Sequence, residues 1–439
     1  MTTAKENDLM TRTPRGSAGG ELLRQYWQPA ALSEELDPGR PVVSVTLLGE
    51  ELVLFRDERG QLGLLDRHCP HRGADLSFGR REHGGLRCPF HGWLFDATGQ
   101  CIEQPAEPAG SKAHLHLRHR SYPCAEHNGV IFAYLGDGTA PPFPAFDCFV
   151  APAEQTFAFK GLWACNWLQA LEVGIDPAHP SFLHRFLEEE ADDPAYGRQF
   201  RSGVGDSTLP LTRILREYPR PRMGLQDTAW GFRLVTTRDL AGGLTHYRIT
   251  NLLFPNAIAI PMSNEMVITQ WHVPIDDVSC YWYSMFTSFA APVDRQTMRE
   301  QRLAGLTLPL YRPKLGRQER WGFDAEDQRR QTYTGLGMDV NTHDQWAVES
   351  PGPIHDRTRE HLGTTDAAIV KYRKLLLSAI RARQAGESPP FVLDAAAAAG
   401  ACGPVAIDAI GPREQQDCWL VRDGERRSAS TWAHARRPS

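Results

Sequence analysis

Short apolar runs broken by turn residues dominate the first third of the chain. The runs at 43–48, 52–55, 62–65 and 130–135 are separated by Gly49, by residues 57–60 and by the Asn128-Gly129 pair. Strands this short, punctuated this regularly, predict a small antiparallel β domain. Ahead of it, residues 1–20 are polar and Gly-rich and read as a loosely held arm. Leu22, Leu23, Tyr26 and Trp27 then give residues 21–27 the pattern of a short amphipathic helix. The Pro-rich residues 141–144 read as a linker.

Beyond the linker, residues 162–186 carry a largely helical pattern that Pro177 and Pro180 interrupt. Residues 186–206 are acidic and turn-rich, which predicts a surface excursion. The runs 232–238, 244–254, 257–261, 265–273 and 281–289 are strand-like and predict a second antiparallel sheet. Alternation along 244–252 places His246 and Arg248 on one face and Tyr247 and Ile249 on the other. Ile369, Val370, Leu376, Leu377 and Ile380 recur at helical spacing within residues 365–385, and Gly386 suits the position just past a helix end. From Glu387 onward the chain is rich in Ala, Pro and Arg without a period, which reads as a wrapped or flexible tail. The predicted divisions are therefore 1–26 for the arm and short helix, 27–140 for the first domain, 150–386 for the second and 387–439 for the tail. No internal repeat is visible.

Composition narrows the class. With 41% hydrophobic residues among 439, the chain can bury a core and is not mainly disordered. A net charge of −5 argues against a nucleic-acid binder that works through a basic surface. The longest run of small apolar residues, 395–399, falls far short of the roughly 20 residues that cross a bilayer. The first 20 residues lack the apolar centre of a secretory signal. Nine cysteines, an odd number, do not make a disulfide scaffold. A soluble, reduced, cytoplasmic protein is the expectation.

Two loops concentrate metal-binding chemistry. Arg67-His-Cys-Pro-His-Arg-Gly73 supplies Cys69 and His71, and Arg87-Cys-Pro-Phe-His-Gly-Trp93 supplies Cys88 and His91. A tetrahedral zinc site accepts two Cys and two His, but classical fingers pair like with like. Here each loop offers one of each, which suits a [2Fe–2S] cluster with two His on one iron, the Rieske type. Neutral imidazoles in place of thiolates reduce the negative charge and raise the potential to roughly −150 to +300 mV. The other seven cysteines have no paired spacing and read as small buried apolar residues. His114 and His116 share a predicted strand face with His119 close by, and read as a solvated patch.

A second cluster follows in Asp176-Pro-Ala-His179-Pro-Ser-Phe-Leu-His184. Five residues of unbroken helix would set the two histidines about 140° apart. Their rings converge only if the helix breaks, and Pro180 sits where it would. Asp176, three residues before His179, is placed to accept a hydrogen bond from its imidazole. An electron store in one domain calls for an electron consumer, and an iron held by two His and a carboxylate is one.

On these motifs the chain resembles the α subunits of the Rieske non-heme iron ring-hydroxylating oxygenases, over most of residues 20–385. The resemblance implies an α+β fold: an N-terminal all-β Rieske [2Fe–2S] domain plus a C-terminal, helix-flanked antiparallel-sheet catalytic domain. It implies that Cys69, His71, Cys88 and His91 hold the cluster and that His179 and His184 hold a mononuclear Fe(II). The third iron ligand it implies is a downstream aspartate, for which Asp344 is the candidate and Asp339, Glu349 and Asp356 compete. Asp176 would act catalytically, linking His179 to His91 of a neighbouring subunit in a head-to-tail homotrimer. Residues 352–363 look like those of the phthalate dioxygenase branch, which includes phenoxybenzoate dioxygenase and biaryl O-demethylases. Many relatives have Asn beside the motif's Glu, where this chain has Val173 after Glu172.

The implied activity is that of a terminal oxygenase using O₂ and electrons from an NAD(P)H-dependent reductase, with or without a ferredoxin, to oxidise an aromatic acid. Two outcomes fit: O-demethylation of a lignin-derived methoxy-aromatic or biaryl acid, toward which the run 166–184 leans, and cis-dihydroxylation of a phthalate- or phenoxybenzoate-like acid. Arg213 and Arg248 are candidates for binding the substrate's carboxylate, His246 is a substrate-binding candidate on the strand face of Arg248, and Phe182 and Phe186 are candidates for lining an aromatic pocket. Other classes remain open: a zinc-stabilised interaction protein, which would be colourless, and a Rieske-type electron carrier, which would leave some 300 residues without a purpose.

Overall fold

Hairpin after hairpin builds the first of two units in the computed structural model, which describes residues 2–187 and 203–436. This unit comprises residues 12–141 and 273–276. Val42–Leu47, Glu50–Arg56, Leu62–Asp66 and Ser121–Tyr122 form one antiparallel sheet. Gln28–Leu32, Val130–Ala133 and Cys124–His127 form a second. Arg80–Glu82, Gly85–Arg87, Leu94–Asp96 and Cys101–Glu103 form a third, smaller one. Asn128 and Gly129 both adopt positive φ, the primed turn whose twist matches a two-residue hairpin. Val53, Phe55, Leu65, Leu76, Leu86 and Phe95 close a core that also takes in Cys69 and Cys88.

The larger unit is built on an eight-stranded sheet. Its strands run Thr156–Trp163, Cys280–Ser288, Met266–Pro274, Ala257–Pro261, Leu244–Leu253, Gly231–Asp239 and Arg222–Thr228, with Ile407–Pro412 also paired to residues 244–249. Neighbours in the described registers are antiparallel, as the alternating patterns predict. Helix Trp167–Gly174 packs against this sheet, and helix Ala367–Gln384 forms where its period predicts.

A buried ionic cluster locks the first of these helices. Glu172 accepts from Arg357 (2.9 Å) and Arg373 (2.6 Å), and Arg373 is shared with Glu360. Three-way sharing matters because a buried carboxylate stripped of its partners costs about 3–5 kcal/mol. Burial acts to raise the Glu360 carboxyl, but its hydrogen bonds from His355 and Arg373 outweigh it and bring it down to about 2 from 4.5. Its contribution is therefore complete above about pH 4.5 and is lost as pH falls toward 2. Urea titrations of Glu360→Gln against the parent should show a gap of about 2–3 kcal/mol at pH 7 that closes as pH falls toward 2.

Several segments depart from the sequence pattern. The arm at 1–20 is not loose: Ala4–Thr11 is a helix, Met10 and Thr11 are buried, and Asn166 donates to the Thr11 carbonyl at 2.9 Å. What holds it is a set of distant hydrogen bonds, which leave no period in the sequence. The helix expected at 21–27 is shifted to Ala18–Leu23, capped by Ser17, because the residues from Gln28 pair as a strand with Val130–Ala133. Residues 162–186 are less helical than their pattern: strand Thr156–Trp163 ends there, helix Trp167–Gly174 follows, and a 3₁₀ turn covers His179–Ser181.

The expected tail from Glu387 is the largest departure. Ile407–Pro412 is a strand of the main sheet and Cys418–Ala429 is a helix. Trp419 packs with Tyr247, Ile249, Val405, Ile407 and Ala409, while Arg427 pairs with Asp147 and Asp423. Pairing to a strand some 160 residues earlier supplies the hydrogen bonds, so no local pattern announces it.

His114 and His116 lie on a 3₁₀ turn rather than a strand, and His119 is buried, with Nε2 at 2.8 Å from the Asp66 carbonyl. The acidic excursion falls largely at 188–202, outside the described residues. Among the described residues, no helix is long and apolar enough to cross a membrane.

Candidate metal centres and substrate cavity

The two Cys-His loops of the β unit share one backbone design. The Cys69 amide donates to the Ala74 carbonyl and Gly73 donates back to Cys69; Cys88 donates to Trp93 and Gly92 donates back to Cys88. Gly73 and Gly92 close these turns at φ +74° and +76°, a conformation that a side chain would strain. Repetition of one turn brings like residues together. Cys69 and Cys88 are buried as a pair, and the rings of His71 and His91 meet edge-on at 4.5 Å between centroids. Trp93 stacks on His71 at 4.4 Å and fixes its plane.

Two features fit these residues to a cluster. The buried His91 Nδ1 has no partner among the described residues. Burial pushes the Cys69 thiol up to about 12, so a bound cation is what would keep it a thiolate. A single tetrahedral zinc draws its four donors within about 4 Å of one another. Among the described residues only His179, His184 and Asp344 gather three donor atoms that tightly, within 4.8 Å. A sulfur pair set apart from an imidazole pair suits two irons rather than one ion.

In the larger unit, His179, His184 and Asp344 do converge. The two imidazoles stand at 81° with centroids 5.2 Å apart. Their Nε2 atoms lie 3.9 and 3.3 Å from Asp344 Oδ1, a buried oxygen otherwise without a hydrogen-bond partner. The break at Pro180 makes this possible, replacing α-helix with a 3₁₀ turn so that the rings no longer diverge. Asp344 comes from helix Val340–Glu349.

Proton positions follow from the outer hydrogen bonds. His179 Nδ1 donates to the Asp176 carbonyl at 2.7 Å, leaving Nε2 as a lone pair. His343 Nε2 donates to the Gly337 carbonyl at 2.8 Å, so its Nδ1 accepts from His184 Nδ1 at 3.3 Å and again frees Nε2. Burial, then the neighbouring His184, pushes His343 down to about 4, which keeps it neutral. Two neutral imidazoles and a carboxylate facing one point are a facial triad able to hold Fe(II) with positions to spare. The Asp176 carboxylate does not reach the His179 ring as expected: it accepts the Ala178 and His179 amides at 2.8 and 3.3 Å, and the main-chain carbonyl orients the imidazole.

Beside the trio opens a cavity of about 140 Å³. Its floor is the sheet, where alternation presents Thr236, Arg248, Thr250, Gln270 and His272 around Ile258, Ile260 and Ile268. Arg248 donates to Asp408 at 2.5 Å, and Asp408 also accepts from His246 at 2.9 Å. The alternation read from the sequence holds here, since His246 and Arg248 share one carboxylate. Burial lowers His246 and keeps it neutral. Arg238, nearby and buried, ties down the loop between Asp176 and His179 by donating to the Pro177 carbonyl at 2.9 Å.

A model of the Rieske [2Fe–2S] domain matches residues 26–123, and one described as LigXa C-terminal domain like matches residues 133–419. The phthalate 4,5-dioxygenase oxygenase subunit of Pseudomonas putida is 34% identical over 88% of either chain. The 5,5'-dehydrodivanillate O-demethylase oxygenase subunit of a Sphingobium species is 30% identical over 90% of this chain and 84% of its own. The chain belongs to the Rieske non-heme iron oxygenases. The structure of dicamba monooxygenase with bound 3,6-dichlorosalicylic acid shares the fold, with a TM-score of 0.56 at 20% identity over 83% of this chain and 99% of that one.

This oxygenase brings some of the anticipated substrate residues together and not others. Phe186 and Arg248 line the cavity. His246 stands behind Arg248, fully buried. Arg213 does not face the cavity: it is half exposed and paired with Glu217 one helical turn on. Its neighbours Leu211, Thr212 and Leu215 take the inward face of that helix. Phe182 also points elsewhere, 45% exposed and edge-on to Tyr333. Of the rival carboxylates, Asp339 and Asp356 cap helical turns, and Glu349 accepts from Trp321 at 2.8 Å. The pattern missed His343, Gln270, His272 and Ser284. His343 alone left a trace, as the residue beside Asp344.

Proposed function

We propose that this oxygenase oxidises a single-ring aromatic acid, with O-demethylation of a methoxy-substituted acid as its reaction. In this reading Cys69, His71, Cys88 and His91 hold the cluster, and His179, His184 and Asp344 hold the mononuclear iron. Bound there, the ferrous ion offers open positions for O₂ and the cluster supplies electrons. The electrons come from a separate reductase, with or without a ferredoxin, and Asp176 lies on the path from His91 of the neighbouring subunit in a homotrimer.

The observation that carries the substrate class is the charge beside the cavity. Arg248 lines the cavity with its guanidinium shared with the buried Asp408, and the buried Arg238 guanidinium stands within electrostatic reach of that pair. Arg248 uses two of its nitrogens on Asp408 and the Pro261 carbonyl, and its remaining N–H groups can meet a substrate carboxylate. Ile258, Ile260 and Ile268 receive the ring. A cavity of about 140 Å³ is the size class that takes one aromatic ring rather than two, so it favours a single-ring acid over a biaryl acid.

Oxidation of the methoxy C–H to C–OH gives a hemiacetal, which collapses to a phenol and formaldehyde; the second oxygen atom leaves as water with two electrons from the reductase. With a compatible reductase, methoxybenzoates should release formaldehyde and phenol in equal amounts. Formation of cis-diols without formaldehyde would shift the assignment to dihydroxylation, and no turnover of any aromatic acid would reject the substrate class.

A further inference from the structure

A cavity wall within electrostatic reach of Asp344 carries a polar relay with an open end. Ser284 Oγ donates to Gln270 Oε1 at 3.2 Å, which fixes the amide so that its Nε2 faces His272 Nε2 at 3.4 Å. His272 Nε2 is then an acceptor and the ring's proton sits on Nδ1. That Nδ1–H has no acceptor among the described residues, although His272 is 1% exposed. Trp163 stacks on the ring at 5.7 Å and the His272 amide and carbonyl are bonded to Asn256, so the imidazole is held in place. Burial pushes His272 down to about 3, which rules out a charged role. An unmet buried donor is costly, typically enough to change a binding constant about tenfold or more when a partner arrives.

Register places this donor opposite the charged end. Ile258 pairs with Gln270 and Ile260 with Ile268, and Thr250 lies two residues along the strand from Arg248. Crossing from Arg248 to Gln270 therefore means passing the one strand between them, Ala257–Pro261, which presents Ile258 and Ile260 to the cavity. The cavity is ionic at one end, apolar in the middle and a neutral hydrogen-bond donor at the end beside the metal trio.

We infer that His272, set by Gln270 and Ser284, is the recognition group for the substrate's reacting substituent, and that this substituent is a neutral acceptor oxygen of the ether type. The inference rests on the aromatic-acid reading above and deepens it: Arg248 takes the carboxylate and His272 Nδ1–H takes the methoxy oxygen, which holds the methyl group toward the metal.

A matched pair of ligands isolates that single hydrogen bond. Methoxy- and ethylbenzoates with the substituent at position 3 or 4 differ only by an ether oxygen in place of a methylene. Calorimetric titration of the oxidised, metal-loaded enzyme without reductant measures binding apart from turnover. The parent should bind the better methoxybenzoate about tenfold or more tightly than its ethyl counterpart. His272→Leu should bring the ratio near one while ethylbenzoate binding stays within about threefold, and His272→Asn should retain part of the preference. Arg248→Leu should weaken both ligands equally and leave the ratio intact. A parent ratio near one with both acids bound overturns this inference but leaves the substrate class standing, and so does an undiminished ratio in His272→Leu. Failure to bind either acid overturns both. Should His272→Leu not fold, Gln270→Met tests the same relay: a reduced ratio supports it and an unchanged ratio refutes it.

Discussion

Replacing Asp344 by Ala is expected to abolish turnover while leaving the cluster's visible spectrum unchanged. The carboxylate is the point on which the two Nε2 atoms converge, at 3.9 and 3.3 Å, so the variant loses both a ligand and the only charge in the trio. Loss of a group that merely orients a ligand typically costs about 10–100-fold in metal affinity or activity, and loss of the ligand itself should exceed that. His343→Leu provides the calibration. It removes the acceptor that sets the His184 proton but no donor to the metal, so an intermediate loss is expected. Steady-state turnover and metal analysis of the two variants check both. Full activity in Asp344→Ala would reject the trio as the site.

Deleting residues 387–439 is expected to give no soluble, metal-loaded protein. The cut removes the strand paired with residues 244–249, exposes the Tyr247–Ile249 face and strips Asp147 of Arg427. It also takes Asp408 from Arg248 and His246. Breaking a buried pair of that kind costs about 3–5 kcal/mol by itself. Asp408→Ala isolates that part, and its denaturant midpoint should drop accordingly. A truncated protein that purified folded with its metals would show that the segment is a dispensable tail.

Local pattern carried the parts of the fold that depend on neighbours in sequence. Alternating apolar positions marked the central strands of both units, and the Asn128-Gly129 pair marked a hairpin with both residues at positive φ. The metal-binding loops were legible because each packs its donors within a few residues, as in Cys69 with His71 and Cys88 with His91. What escaped depends on distance along the chain. Ile407–Pro412 and the N-terminal helix gain their partners from segments far away, and their own sequences show no period. Residue identity also says little about direction: Arg213 and Phe182 had suitable chemistry, yet helix phase and a local turn aim them elsewhere. His272 is the converse case, a histidine in an apolar strand whose significance lies in an unmet proton that only packing reveals.

The proposed chemistry requires this chain to hold a lone iron apart from its sulfide-bridged pair. The ratio of iron to acid-labile sulfide after anaerobic ferrous reconstitution tests it most directly. About three irons to two sulfides are predicted for the parent chain, falling to about two to two in Asp344→Ala with the sulfide content unchanged. A parent chain that levels off at two to two, or an Asp344→Ala chain that keeps the third iron, would contradict the claim.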